Sequence, residues 1–242
     1  MGYQGLHILA VVPARGGSKS IPGKNLCQVG GISLVGRAAQ VAKSLELIDK
    51  AVLSTDDEDI AKEGRRYGID VPFMRPEALA GDLTTSVEMW RHAWIESERY
   101  YGMLFDLSIL LEPTSPLRQN EDIKRTVNAL TTGDHLAAAT VSRAPAHFTP
   151  HKSLTVDQQG HIGFYLKDGA KYSLRQKIPT YYFRNGICYA AKRMAVVEKG
   201  QILEERCKAV VIDRPIVNID EPFDLELAEF LLQKKKYGSH RL

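Results

Sequence analysis

The 242-residue chain has few cysteines and no long apolar run. Its three cysteines, Cys27, Cys188 and Cys207, are too few and too scattered for a disulfide framework or a zinc site. No apolar stretch approaches the roughly 20 residues that a bilayer span needs, and no leader with a basic and then an apolar region opens the chain. We therefore expect a soluble protein of the reducing cytoplasm with no membrane partner.

The chain also lacks a strong charge of either sign, because 32 basic and 29 acidic side chains leave a formal net charge of only +3. Proteins that bind nucleic acid usually carry a clustered basic face, and no such cluster stands out here. We therefore expect no nucleic-acid partner. A hydrophobic content of 44% over this length is sufficient for one full core, so residues 1–242 are predicted to form a single domain.

Short β-branched runs alternate with helical patterns along most of the chain, which predicts an α/β fold. We expect a Rossmann-like, doubly wound and mostly parallel sheet with helices on both faces. The predicted strands are 8–12, 51–54, 71–74, 107–111, 136–141, 187–191 and 209–212, and the predicted helices are 34–47, 57–67, 85–101, 121–130 and 224–234. In such sheets the ligand lies beyond the carboxyl ends of the strands.

This alternation stops over residues 144–184, a segment called the arm below. Prolines, histidines and aromatic residues crowd together in the arm, and Asp157-Gln158-Gln159-Gly160 is typical of a hairpin turn. An extended, aromatic-rich segment without its own core either folds against its own sheet as a meander or packs on another surface. The sequence alone leaves both alternatives open.

A polar loop, residues 13–26, follows the first predicted strand and reads Pro-Ala-Arg-Gly-Gly-Ser-Lys-Ser-Ile-Pro-Gly-Lys-Asn-Leu. Glycines allow backbone N–H groups to approach phosphate oxygens closely, and Arg15, Lys19 and Lys24 supply compensating charge. The loop fits neither the P-loop nor the dinucleotide fingerprint, because its glycines have the wrong spacing. It predicts a polyphosphate site of another kind.

The polar loop closely resembles the signature of the acylneuraminate cytidylyltransferases, the CMP-sialic acid synthetase family. Further matches follow in the order expected for that family: Ser54-Thr55-Asp56, Arg75-Pro76-Glu77, Pro113-Thr114-Ser115-Pro116-Leu117-Arg118, Arg184-Asn185-Gly186 and Ile219-Asp220. The resemblance implies transfer of a cytidylyl group from CTP to the anomeric hydroxyl of a nine-carbon 2-keto-3-deoxy sugar acid. It also implies that the arm is a small β-rich dimerisation insertion, so that the protein is a homodimer, with a tetramer as the alternative.

The same resemblance assigns roles to individual residues. Arg15, Lys24 and Asp220 are the expected catalytic residues. The expected nucleotide-binding residues are Ala14, Gly16, Gly17, Asn25, Arg75 and Ser86, and the expected sugar-binding residues are Glu112, Thr114, Ser115, Arg118, Asn185, Tyr189, Lys152 and Arg175. Lys152 and Arg175 would reach the partner subunit's substrate, although each could equally be a lone surface cation. Thr84, Thr85 or Ser86 could also cap the following helix.

Asn218-Ile219-Asp220 is the expected Mg²⁺ site, because alternate residues at a strand end project to the same side. The resembled family commonly has aspartate at the first of these positions and glutamine at position 112, where this chain has Glu112. Asp220 would then be the only carboxylate of the pair, with Asn218 offering an amide oxygen. A helix-capping role for Asp220 is the alternative.

Two other functions stay open at this point. One is a 3-deoxy-manno-octulosonate cytidylyltransferase, although Ser18-Lys19-Ser20 and Asn25 depart from the loop of that group. The other is a non-catalytic nucleotide-binding homologue whose metal site has weakened, which Asn218 suggests.

Overall fold

The structure, a computed structural model, describes residues 3–203 and 206–238. Within them the strands are β1 Ile8–Pro13, β2 Gln28–Val29, β3 Ile32–Ser33, β4 Lys50–Ser54, β5 Leu107–Leu110, β6 Ala137–Arg143, β7 Leu154–Val156, β8 Ile162–Phe164, β9 Tyr182–Lys192 and β10 Cys207–Val211. The α-helices are α1 Leu34–Ser44, α2 Glu58–Arg66, α3 Ser86–Tyr101, α4 Asn120–Thr131 and α5 Pro222–Gly238.

A six-stranded sheet with the order β10-β6-β9-β5-β1-β4 forms the centre of the fold. β1 pairs in parallel with β4 and β5, and β10 pairs in parallel with β6. β9 lies between β5 and β6 and is antiparallel to both. The predicted mostly parallel α/β sheet is therefore confirmed, with one reversed strand inside it.

Alternate residues of β1 are buried on opposite faces of the sheet, as a strand that is covered on both sides requires. Ile8, Ala10 and Val12 join a core with apolar residues of α1, α2 and α4. Leu9 and Val11 join a second core with α3 and with a short π-helix, Met194–Glu198. No helix among the described residues is long and apolar enough to cross a bilayer.

The strand predicted over 71–74 is wrong. The chain makes only an isolated bridge there, between Asp70 and Val52, and then leaves the sheet. Pro72 and Pro76 lack the N–H groups that a ladder needs, which explains why an apolar run at this place does not extend the sheet. The Arg75 N–H instead donates to the Thr55 carbonyl at 2.7 Å.

The arm contains the predicted hairpin, in which β7 and β8 pair antiparallel around 157–161. Its two ends meet, because the Ala144 N–H donates to the Tyr181 carbonyl at 2.8 Å. The last three residues of the arm, 182–184, already belong to β9. Several large apolar side chains of the arm stay exposed: Phe148, Leu154, Val156, Ile162, Phe164, Tyr165 and Leu174.

Candidate active site

Two adjoining chambers open at the edge of the sheet where the parallel strands end and the antiparallel β9 begins. The larger chamber has a volume of about 540 Å³ and is lined by the polar loop, residues 75–89 and the chain after β5. The smaller chamber has a volume of about 230 Å³. Ser86, Glu112 and Asn218 line both, so the two chambers form one continuous crevice.

Hydrogen bonds and close packing fix the backbone of the polar loop. The Asp56 carboxylate, at the end of β4, accepts the Gly16 N–H at 3.1 Å, and Asn25 Nδ2 donates to the Arg15 carbonyl at 2.9 Å. A Cβ at Gly16 would lie 2.6 Å from the Asp57 carboxylate, so glycine is required there by close packing. The loop therefore presents its side chains to the larger chamber from a fixed backbone.

Arg15 and Lys19 share one carboxylate, that of Asp82, in the wall facing the polar loop. Arg15 Nη2 lies 3.0 Å and Lys19 Nζ lies 2.5 Å from the two Asp82 oxygens. These cations hold the pKa of Asp82 below its usual range, the contribution of Lys19 being the larger. Two of the loop's positive charges thus converge on one anion, as a phosphate group would require.

Arg75 and Ser86 form the wall of the larger chamber nearest to β4 and α3. The Arg75 side chain is buried, and its guanidinium donates to the hydroxyl and the carbonyl of Ser54. Burial lowers the pKa of Arg75 to about 10, which leaves it charged at neutral pH. Thr85 caps α3 by accepting the Glu88 N–H at 3.2 Å. Ser86 is consequently free of the capping role and faces the crevice.

Lys24 connects the polar loop to the segment that follows β10. Its Nζ donates to the Ile219 carbonyl at 2.9 Å and lies 3.5 Å from the Asp220 carboxylate. Asn218 Nδ2 donates to the other Asp220 oxygen at 3.3 Å. Asp224 accepts the N–H groups of Asp220 and Glu221, the two residues before α5, while the Asp220 carboxylate contacts Lys24 and Asn218.

The donor set for a metal ion at this place consists of oxygens. The Asp220 carboxylate, the Asn218 amide oxygen and the Glu112 carboxylate all line the larger chamber, and Mg²⁺ prefers such ligands together with substrate phosphates and water. Among the described residues, no group of three or more acidic, histidine or cysteine side chains is preassembled for a metal. These residues therefore fit Mg²⁺ only with further oxygens from a bound nucleotide.

The smaller chamber combines one cation, one carboxylate and one phenol. Arg184, Glu112 and Tyr189 line it together with the apolar side chains of Leu110 and Ile202. Burial raises the pKa of Tyr189 to about 12 and also raises the pKa of Glu112, which the charges of Arg118 and Arg184 partly oppose. Gly186 has φ +68°, and a Cβ there would lie 2.7 Å from Glu112 Oε2, so the carboxylate is seated against bare backbone.

Two residues that the resemblance assigns to the sugar acid, Arg118 and Asn185, make hydrogen bonds within the protein. Arg118 is buried and donates to the carbonyls of Ile187, Glu112 and Gly186, and its burial lowers its pKa to about 10. Asn185 is fully buried, accepting from Thr140 and the Ile187 N–H and donating to Ser142. These contacts point both side chains into the protein.

Other predicted site residues also fall outside the walls of the two chambers. The Ala14 N–H is paired with the Ser54 carbonyl, and Ser115 Oγ donates to the Asn185 carbonyl. Gly16 and Gly17 supply neither chamber with a wall, whereas Asn25, Thr114, Tyr189, Glu112, Asn218 and Asp220 do. In the arm, Lys152 donates to the Ser173 carbonyl at 3.0 Å, and Arg175 begins a short 3₁₀ helix.

Asp82 and Arg184 also line the crevice, although neither was predicted from the sequence. Arg184 belongs to the Arg184-Asn185-Gly186 motif, so its position beside Asn185 was a usable signal. Asp82 carried no signal, because its role arises only when the loop before α3 folds against the polar loop.

Comparison with known proteins agrees with this architecture. Residues 9–239 match the family described as Cytidylyltransferase. The chain is 29% identical to the post-translational flagellin modification protein B of Campylobacter coli, over 94% of this chain and 96% of that protein. It is 30% identical to the CMP-N,N'-diacetyllegionaminic acid synthase of Legionella pneumophila, over 94% of this chain and 97% of that protein.

The fold is shared with a solved structure of CMP:2-keto-3-deoxy-manno-octonic acid synthetase complexed with CTP. The two superpose with a TM-score of 0.66 at 18% identity, covering 95% of this chain and 99% of the other. At that identity the likeness establishes the fold alone. The family match, by contrast, covers nearly the whole chain, including both chambers. The chain therefore belongs to the cytidylyltransferase family and is a nucleotidyltransferase.

Proposed function

We propose that the protein transfers the cytidylyl group of CTP to a nine-carbon 2-keto-3-deoxy sugar acid, giving a CMP-sugar and pyrophosphate. The observation that carries this proposal is the joined pair of chambers, one lined with cations and one of mixed polarity. A triphosphate suits the first and a polyhydroxylated acid suits the second. The Legionella relative, whose name specifies a legionaminic acid, makes that nine-carbon acid the first substrate to test.

In this reaction the anomeric oxygen of the sugar attacks the α-phosphorus of CTP. A new oxygen–phosphorus bond forms, the bond to the bridging oxygen breaks, pyrophosphate leaves with that bond's electrons, and the anomeric proton passes to solvent. Such transfers depend mainly on positioning and on neutralising phosphate charge. Arg15 and Lys24 supply that charge, Arg15 as a planar fork and Lys24 as a compact ammonium.

Asn25, Arg75 and Ser86 line the part of the larger chamber that we assign to the nucleoside. Arg75 stays charged in a buried setting, and two hydrogen bonds from its guanidinium to Ser54 hold it there. Ser86 lines both chambers and so lies where the nucleotide and the sugar would meet. We assign Glu112, Thr114 and Tyr189 to the sugar acid.

We further propose Mg²⁺ as the cofactor, held by Asp220 and Asn218 together with phosphate oxygens. The ion would neutralise phosphate charge when bound. Lys24 already contacts Asp220, so the ammonium orients this carboxylate before the nucleotide arrives. We also propose that the enzyme works in the cytoplasm, where its three cysteines would stay reduced.

A homodimer joined by the arm completes the proposal. Phe148 is 80% exposed and Ile162 is 70% exposed, and both belong to the arm. Exposed apolar patches of this kind mark contact surfaces. In the dimer the arm would bring Lys152 or Arg175 toward the sugar site of the partner subunit.

The direct test is pyrophosphate release from CTP and Mg²⁺ with a panel of sugar acids. The panel contains N,N'-diacetyllegionaminic, pseudaminic, N-acetylneuraminic and the eight-carbon 3-deoxy-manno-octulosonic acid. We expect release with a nine-carbon acid and CTP, and none when UTP replaces CTP. Release with the eight-carbon acid alone would favour the octulosonate enzyme. No release with any acid, while CTP still binds, would favour the non-catalytic homologue.

A further inference from the structure

We infer that Arg184 binds the carboxylate of the sugar acid in the smaller chamber, with Glu112 accepting hydrogen bonds from the sugar's hydroxyl or N–H groups. This inference rests on the proposed function, since it assumes a sugar acid as the acceptor. It assigns the substrate an orientation: the carboxylate lies toward β9 and the donor-bearing carbons lie toward Glu112.

Arg184 is the one cationic side chain lining the smaller chamber among the residues that the structure describes. It is exposed, and no ion pair or hydrogen bond to another described side chain engages its guanidinium. A carboxylate entering this chamber would find a free planar fork, which is the geometry that arginine offers to carboxylates.

The neighbouring cations of the crevice already bind groups of the protein itself. The guanidinium of Arg118 donates to three backbone carbonyls within the protein. Lys24 contacts Asp220, and Arg15 contacts Asp82. Within the described part of the chain, Arg184 is thus the cation whose binding capacity no other group in the crevice uses.

The backbone that carries Arg184 is held in place by strand pairing and by the buried Asn185. Arg184 pairs with Val141 across a bulge in the β6–β9 ladder, and the next residue is the fully buried Asn185. Asn185 is held by the Thr140 hydroxyl at 2.6 Å and holds the Ser142 hydroxyl at 3.1 Å. A binding residue carried on such a fixed strand orders its ligand at little entropic cost.

The charges of Arg184 and Glu112 in the smaller chamber are not paired with each other. Besides burial, which raises both pKa values, Glu112 raises the pKa of Tyr189 further and Arg184 partly lowers that of Glu112, yet no ion pair within 4 Å joins Glu112 and Arg184. The chamber therefore offers a separate cation and a separate acceptor. A ligand with one carboxylate and several hydroxyl or N–H donors matches both, whereas a neutral sugar leaves the cation unpaired.

The experiment compares Arg184→Gln and Arg184→Lys with a matched control, Arg143→Gln, which alters an exposed arginine on the neighbouring strand outside both chambers. Steady-state constants are measured with CTP and the sugar acid that the wild type uses best. We expect Arg184→Gln to raise the KM for the sugar acid by about 10- to 100-fold, the usual effect of losing a charged hydrogen-bonding partner. The KM for CTP should stay within about twofold, and Arg184→Lys should recover part of the loss.

A second readout isolates the carboxylate itself. The methyl ester of the same sugar acid is tested as a competitive inhibitor, and Arg184→Gln should abolish the wild type's preference for the acid over the ester. An unchanged KM for the sugar acid in Arg184→Gln, with the preference intact, would overturn the inference. If the wild type turns over no acid in the panel, the proposed function fails instead, so the two failures are distinguishable.

Discussion

Asp82 and Arg15 form an ion pair of 3.0 Å across the mouth of the larger chamber. Asp82 also binds Lys19, so a carboxylate of the chain itself occupies two cations of the polar loop. We expect an incoming triphosphate to displace this carboxylate, which would change the contacts between the loop before α3 and the polar loop.

Replacing Asp82 with asparagine should therefore tighten CTP binding, because a neutral amide competes less well than a carboxylate for Arg15 and Lys19. We expect the dissociation constant for CTP, measured by calorimetry at low ionic strength, to fall by about two- to tenfold. Asp59→Asn is the matched control, since Asp59 pairs with Lys62 on the exposed surface of α2. Weaker CTP binding in Asp82→Asn would show that this carboxylate belongs to the bound state.

Lys24→Ala should leave the fold intact and lower kcat by about 10²- to 10³-fold, as expected for one preorganised charge at a transition state. Arg15→Lys should also be impaired, because a point charge does not replace a bidentate fork. Both variants are assayed by pyrophosphate release, with circular dichroism as the check on folding. Near-native turnover in Lys24→Ala would remove Lys24 from the catalytic group.

The Mg²⁺ requirement should depend on positions 218 and 220 in opposite ways. Asn218→Asp adds a carboxylate next to Asp220 and should lower the Mg²⁺ concentration for half-maximal activity, whereas Asp220→Asn should abolish activity. Binding of Mn²⁺ in the presence of CTP, followed by electron paramagnetic resonance, reports the site independently of turnover. Asp213→Asn, an exposed neighbour outside both chambers, serves as the control. An Asp220→Asn variant with the parent's Mg²⁺ titration curve would rule out this metal assignment.

Asn185→Ala should act mainly on stability. Its loss removes one hydrogen bond from each of the buried hydroxyls of Thr140 and Ser142, which keep their bonds to Cys188 and Ile212, and one from the Ile187 N–H. We expect the free energy of unfolding in urea to fall by about 2–3 kcal/mol, because each of these buried hydrogen bonds contributes about 1 kcal/mol. An unchanged unfolding midpoint combined with a raised KM for the sugar acid would return Asn185 to the substrate site.

Ile162→Asp should separate the proposed dimer. Ile162 is 70% exposed within one chain, so an aspartate there costs the monomer little but places a charge in any apolar interface. Light scattering coupled to gel filtration should show the monomer mass. Leu104→Asp, at an equally exposed position outside the arm, should leave the mass of the wild type unchanged. A wild-type protein that is an active monomer contradicts the dimer.

The fold was largely predictable because strands and helices are local patterns of apolar residues. The absence of a strand over 71–74 was not predicted, because the apolar run favours a strand. The effect depends on Pro72 and Pro76, which lack the N–H groups that a ladder at the sheet edge needs. The antiparallel direction of β9 was not predicted either, because a buried strand has the same apolar pattern whichever way it runs.

The site was predictable where one short motif supplies both the backbone and the side chain. Lys24 and Asn25 line the larger chamber as their motif implied. Arg118 and Asn185 show the limit of this reasoning. A polar side chain beside a cleft can point into the cleft or into the protein, and only the positions of distant carbonyls, such as that of Ile187, decide which.

The reversed strand β9 also places the arm beside the chambers. Because β9 runs against its neighbours, the arm leaves and rejoins the sheet at the edge where the chambers open, and its two ends are joined by a hydrogen bond between Ala144 and Tyr181. Arg184 lies three residues beyond that bond. A second subunit bound to the arm would therefore lie close to the guanidinium that we assign to the acceptor. Assembly and acceptor binding would then be coupled through the first residues of one strand.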